Sequence, residues 1–232
     1  MATWSIQPCS VSDAPALAEN NMSAFWTDRT WRLNWGPEIT LPYLITQCAE
    51  RLPRNLLRNR AALRHEKAVD PSTGELVGYA RWEMPISWAG KGEGEWQEAM
   101  TADVGKEERE KYEEMAKKAW WEPRDMPGLD NENIRIKNRI LAEKDYINLD
   151  YLAVHPMNKG KGVATALVKS GIEKAEKLGV DIFILAFEAG RGVYTRLGFK
   201  EVARNVEDDS RYGGVGEYAA YFMVYEVRRD KA

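Results

Sequence analysis

The chain has 232 residues, 44% of them hydrophobic and 30% charged, with a formal net charge of −3. That length suits one domain carrying a large insertion, and the apolar fraction is enough for a packed core. The near-balanced charge lacks the basic excess of a polyanion binder, which argues against nucleic acid as a partner, while the mild acidity weakly favours a cationic acceptor such as an amine.

In chain order, Trp4 to Cys9 alternate as a short strand. Ser10-Val11-Ser12-Asp13 then offers N-cap residues for a helix to about Phe25. The aromatic stretch Trp26 to Trp35 is broken by Gly36-Pro37, and a second helix is predicted from there to about Arg51, with Pro42 confined to its first turn. Ala62 to Asp70 and Glu75 to Met84 read as a hairpin about the turn cluster Asp70-Pro71-Ser72-Thr73-Gly74. The pattern then breaks from Pro85 to about Lys144. This stretch opens with Gly90, Gly92 and Gly94. It continues with a mixed-charge helix from Lys106 to Ala119, the pair Trp120-Trp121, a turn-rich run and a helix from Asn131 to Leu141. It reads as an insertion in a single domain spanning residues 1–232.

The C-terminal part is the most regular. Asp145 to Val154 is a strand and His155 to Lys161 a loop. Gly162 to Leu178 is a helix whose apolar face repeats at Ala164, Leu167, Val168, Gly171, Ile172, Ala175 and Leu178, and Gly179 closes it. Val180 to Phe187 is a near-continuous apolar strand, as in a sheet covered on both faces. A short helix from Arg191 to Leu197, a strand from Lys200 to Asn205, a polar loop and a strand from Tyr218 to Val227 complete the chain.

Cys9 and Cys48 form no CxxC pair, and His65 and His155 are remote from both, so no metal site is expected and the thiols read as buried and free. Residues Met1 to Ser5 lack a basic run followed by an apolar one, and no stretch approaches the ~18 apolar residues of a membrane helix. A cytoplasmic protein with no membrane partner is the expectation.

The chemistry concentrates at Lys159-Gly160-Lys161-Gly162-Val163-Ala164, where the loop of a strand–loop–helix–strand unit meets a helix N-terminus. Unpaired N–H groups and the helix dipole there suit an anion such as a pyrophosphate, and glycines let the backbone approach it. A glycine pair alone is weak evidence. A Walker loop is excluded because no Gly-Lys-Ser/Thr follows at the right spacing, and the three glycines of a dinucleotide fold are not met.

Three elements together resemble the GCN5-related N-acetyltransferases (GNAT): this loop, the strand Leu152-Ala153-Val154-His155-Pro156 before it, and Val193-Tyr194-Thr195-Arg196-Leu197-Gly198-Phe199 downstream. The resemblance is clear over residues 145–227, extends to 4–84 and leaves 85–144 uncovered. Lys159 stands where the family has Arg or Gln, and Phe187-Glu188-Ala189-Gly190 replaces the stretch that often holds an asparagine. The resemblance implies an α/β fold with a mixed, splayed sheet flanked by helices, plus the helical insertion. It implies acetyl-CoA as acyl donor, bound by the backbone of Leu152 and Val154 and by Lys159, Gly160, Lys161, Gly162, Val163, Ala164 and Thr165.

An acceptor amine of pKa roughly 10 must lose a proton before it attacks a thioester. The resemblance implies a base on the strand before the loop, where Asp150 is the candidate; the alternative for Asp150 is a hydrogen-bonded structural carboxylate. Asn148, on the same face, cannot be a base. Tyr194 matches the tyrosine that protonates the departing thiolate, against the alternative of a packed ring with a satisfied hydroxyl. The expected function is direct acetyl transfer to an amine, with a small molecule as acceptor. A protein acceptor (lysine or N-terminus) and a non-catalytic acyl-CoA sensor remain the alternatives. Trp26, Trp31, Trp35, Trp120 and Trp121 are read first as packing and second as walls of an acceptor site.

Overall fold

A computed structural model describes residues 4–88 and 94–228. Gly90 and Gly92, read as the opening of the insertion, and Met1 to Thr3 lie outside the described residues. The elements are β1 (Ser5–Pro8), α1 (Ala14–Trp26), α2 (Arg29–Arg32), α3 (Leu41–Leu57), β2 (Leu63–Val69), β3 (Leu76–Glu83), α4 (Lys106–Lys118) and α5 (Asn131–Leu141). They continue with β4 (Tyr146–Val154), α6 (Val163–Leu178), β5 (Asp181–Phe187), α7 (Glu188–Arg196), β6 (Lys200–Asp208) and β7 (Glu217–Tyr225).

Local chemistry accounts for most boundaries. The Ser10 N–H donates to the Asp13 carboxylate (2.7 Å) ahead of α1, and the Thr40 side chain caps α3 by accepting from the Tyr43 N–H. Two expectations fall short. The second helix, expected to stop near Arg51, runs through Pro53 to Leu57. An interior proline costs ~3 kcal/mol, yet Leu52, Pro53, Leu56 and Leu57 are all buried, and that packing holds the last turn. The short helix expected from Arg191 begins at Glu188 instead, directly off β5.

The seven strands form one sheet in the order β1-β2-β3-β4-β5-β7-β6. All neighbours are antiparallel except β4 and β5. One face of the sheet carries α6 and α7 over a core that includes Trp82, Ile147, Leu149, Leu167, Ile182 and Tyr194. The other face is covered in two parts. The α1/α3 pair packs over Tyr79 and Tyr151, and α5 packs Ile136 and Ile140 on Phe183 and Phe222. Through α5, the stretch read as an insertion therefore covers part of the sheet. Trp120 and Trp121 meet Trp35, with ring centroids 6.0 and 4.9 Å away, and α4 lies against α3.

One core group makes stability depend on pH. Glu66, 5% exposed, accepts from Trp82 Nε1 (3.0 Å) and Ser170 Oγ (2.7 Å) under α6. Burial, against the pull of those two bonds, raises its pKa to about 7. A raised folded pKa means that the folded chain holds the proton more tightly than the unfolded one. The stabilisation is thus complete below the ordinary carboxyl pKa of 4.5 and is lost as pH rises through about 7. The shift corresponds to a change on the order of 3 kcal/mol. Glu66→Gln, which stays neutral, is expected to flatten that part of the pH–stability curve and to be the more stable protein at pH 8. The same pH dependence of stability in both proteins, from urea melts run across pH 4.5 to 8, would count against a proton on Glu66.

Candidate active site

The parallel pairing of β4 with β5 covers only Tyr146↔Asp181, Ile147↔Ile182 and Asn148↔Phe183. Beyond it the strands separate, β4 staying with β3 as far as Val154 and β5 with β7 as far as Phe187. The divergence coincides with a bulge: Arg81 opposes Tyr151 and Trp82 opposes Leu149, so Asp150 is the extra residue on β4. Such a bulge bends the strand and re-aims its side chains.

The register decides which backbone groups face the gap. The His155 N–H donates to Val77 O on β3. Alternation along an antiparallel strand then turns the N–H and C=O of Leu152 and Val154 away from β3, toward the opening. On its β3 side the same strand end is fixed by Asn20 of α1, which is 1% exposed. Its Nδ2 donates to Ala153 O (3.3 Å) and its Oδ1 accepts from the His155 N–H (2.9 Å).

The gap leads to the loop Lys159–Gly162. Gly160 and Gly162 have φ of +78° and +85°, a region that disfavours any side chain, and no neighbour fills the space a Cβ would take at Gly160. Gly162 is the N-cap of α6, so the N–H groups of Val163, Ala164 and Thr165 have no partner within the helix. Trp4 braces the loop by donating from Nε1 to Lys161 O (3.1 Å). Lys159 reaches Ala24 O at 3.5 Å and Lys161 donates to Asn158 Oδ1 at 3.0 Å, so both ammonium groups are positioned beside the loop. The residues present fit a pyrophosphate: a glycine cradle, a free helix N-terminus and two cations.

On the α7 side, the Tyr194 ring is 4% exposed and packs edge-on to Phe199 at 5.6 Å. Among the described residues no protein group bonds its hydroxyl. Burial raises the phenol pKa, so the group stays protonated. Gly190 makes room for it, since a Cβ there would lie 2.9 Å from Tyr194 Cε2.

On the opposite face, between the α1/α3 cluster and the α5 cluster, runs a polar seam. The Asp150 side chain, 26% exposed, accepts from Arg81 Nε (2.7 Å) and Nη2 and lies 3.8 Å from Lys137 Nζ of α5. Asn148 Nδ2 donates to Glu83 Oε2 (3.1 Å). Asn148 and Asp150 share this face, as their spacing implies. Arg81, Lys137, Asn20 and Gly190 went unread in the sequence. Each acts through a partner far along the chain or, for Gly190, by an absent side chain, and none carries a local pattern.

Residues 129–210 match the family model of the acetyltransferase (GNAT) domain. Over that stretch the chain is similar to a GNAT acetyltransferase domain. The match begins before α5, and so takes in that helix along with β4, the glycine loop, Tyr194 and β6. The mixed, splayed sheet between helices is the GNAT fold. A Corynebacterium glutamicum structure described as histone acetyltransferase HPA2 and related acetyltransferase superposes with a TM-score of 0.60 at 19% identity, over 99% of each chain. A GNAT-family acetyltransferase of Streptococcus pneumoniae gives 0.50 at 13% identity, over 97% of this chain and 100% of the other. A GCN5-related N-acetyltransferase of Rhodopseudomonas palustris gives 0.50 at 15% identity, over 98% of each. At such identities the likeness is one of fold. Among curated proteins no match is found. No described helix is long and apolar enough to cross a membrane, and no described cluster of His, Cys, Asp or Glu could hold a metal.

Proposed function

We propose that the chain is an acetyl-CoA-dependent N-acetyltransferase acting on a small-molecule amine by direct transfer. The carrying observation is the opening between β4 and β5. It presents the Leu152 and Val154 backbone along one edge and ends at the Gly160–Gly162 loop. Acetyl-CoA supplies an activated acyl group when bound. The loop N–H groups, with Lys159 and Lys161, hold its pyrophosphate, and Leu152 and Val154 pair with its pantetheine amides as a strand would. Asp150 takes the amine proton, directly or through one water, and Tyr194 protonates the departing sulfur.

Acetyl-CoA at ~100 times its Kd is expected to stabilise the protein by about 2.7 kcal/mol. Gly162→Glu puts a carboxylate where the pyrophosphate belongs and a side chain at φ +85°. It should abolish the ligand-induced rise in Tm at a cost of about 1–2 kcal/mol to the free protein. A full shift retained by the variant would remove the loop from the binding site.

Asp150→Asn is expected to lower kcat by about 10², the usual contribution of a general base, and to change the acid limb of the pH–rate profile. Cofactor affinity should hardly move. A rate and profile equal to wild type would leave Asp150 as the partner of Arg81 alone.

A second reading, a non-catalytic acyl-CoA binder, draws on one observation: Asp150 is already held by Arg81 and flanked by Lys137. Thiol release against a panel of amines and peptides separates the two readings. A binder takes up acetyl-CoA and releases no thiol with any acceptor.

A further inference from the structure

Between α1, α3 and strands β2 to β4 lies a cavity of about 160 Å3. A space of that order takes one benzene-sized body. Tyr79, Tyr151 and Trp121 supply rings to its wall, with Leu52 and Leu56 between them.

The polar lining has one sign. Arg51, Arg81 and His65 face the space, and no carboxylate is among the described lining residues. Arg81 is compensated by Asp150. Arg51 is not: its Cζ lies 4.6 Å from the Trp121 ring centroid, and no carboxylate pairs with it among the described residues. Burial, then the like charge of Arg54, lower its pKa, as for a cation short of an anion. His65 is 2% exposed. Its Nδ1 lies 2.8 Å from the Tyr79 hydroxyl, and its Nε2 is buried with no partner. Burial, then the charges of Arg81 and Arg64, keep it neutral, with a pKa of about 3. The Tyr79 hydroxyl has no other hydrogen-bond partner among the described residues, so it is assigned as the donor to Nδ1, and that tautomer leaves the proton on Nε2. A buried donor without an acceptor is costly. An unpaired guanidinium and an unpaired imidazole N–H beside one cavity are complementary to a carboxylate.

We propose that this cavity receives the anionic end of the acceptor, which is then an amine bearing a carboxylate on a compact apolar or aromatic body, of the amino-acid class. The proposal rests on the acetyltransferase reading above. Arg51 and His65 hold the carboxylate. Arg81 lines the cavity and also grips Asp150, so the space ends where the amine meets its base.

The probes are L-phenylalanine and L-leucine against phenethylamine and isopentylamine, the same bodies without the carboxylate. Calorimetry on the full chain without acetyl-CoA reads the cavity, and thiol release reads transfer. The amino acids should bind and the amines should not. kcat/KM should favour the amino acids by at least about tenfold, the scale of one hydrogen bond to a charged group. Arg51→Met should bring that ratio close to one, and Arg51→Lys should restore part of it, with the acetyl-CoA thermal shift as the control for folding. If Arg51→Met does not fold, the wild-type comparison of acid with amine decides. Amino acids that bind without turnover would support the cavity and sink the acetyltransferase reading. Amines acetylated as well as their amino acids, or no calorimetric binding of either amino acid, would overturn the cavity proposal.

Discussion

Trp82→Ala is expected to lower the unfolding free energy by about 3–5 kcal/mol, the range for loss of a fully buried aromatic ring. The side chain is 0% exposed and bridges the sheet to α6. A Cβ placed at Gly171 would lie 2.1 Å from Trp82 Cη2, so the ring rests on the helix backbone with no space to spare. Trp96 lies against it with centroids 5.5 Å apart, and Glu66 accepts its indole N–H. Alanine would open a void and also leave a buried carboxyl without its donor. Domains of this kind have total stabilities of roughly 5–15 kcal/mol, so the loss is a large fraction. Urea melts should show a lower midpoint at an unchanged slope. On the proposed function acetyl-CoA binds at the N-terminus of α6, and at saturation it should recover part of the loss. A cost under about 1 kcal/mol would mean that the neighbours close over the site, contrary to the tight packing at Gly171.

Much of this architecture is legible in the sequence because it is locally encoded. The 3.6-residue repeat from Val163 to Leu178 and the apolar run from Asp181 to Phe187 give α6 and β5 nearly to the residue. The mixed-charge helix and the Asn131–Leu141 helix of the insertion are recovered at their observed limits or within one residue. Errors occur where tertiary packing overrides a local signal. The end expected near Arg51 is overruled by buried Leu52, Pro53, Leu56 and Leu57, which carry α3 to Leu57. The helix expected from Arg191 starts at Glu188, so it takes in Gly190, which is the space for the Tyr194 ring. The candidate site is legible in its glycine loop, where geometry follows from glycine and helix position. It is not legible in the seam, because the Asp150–Arg81 pair joins residues 69 positions apart and depends on a bulge that only register reveals. The cavity is hidden for the same reason: Arg51, His65 and Trp121 belong to a helix, a strand and a loop with no common periodicity.

Tyr194→Phe should reduce turnover by ~10² or more, the typical contribution of a general acid. The substitution removes one oxygen from a ring whose packing against Phe199 is unaffected, so fold and acetyl-CoA affinity should persist. Burial holds the phenol protonated across the working pH range, and its hydroxyl has no protein acceptor to satisfy among the described residues. That combination suits a donor whose partner arrives only with the reaction: the phenol O–H bond breaks, the proton passes to the departing sulfur, and water returns it later. The loss should appear equally in kcat and in kcat/KM, because the interaction is made only as the thiolate departs. A thioester with a leaving thiol of lower pKa needs less help and should recover part of the rate in the variant. Wild type should gain less from the same donor. An unchanged kcat, with chemistry shown to be rate-limiting, would leave Tyr194 as a packed ring. The proton would then reach the sulfur from water entering between β4 and β5.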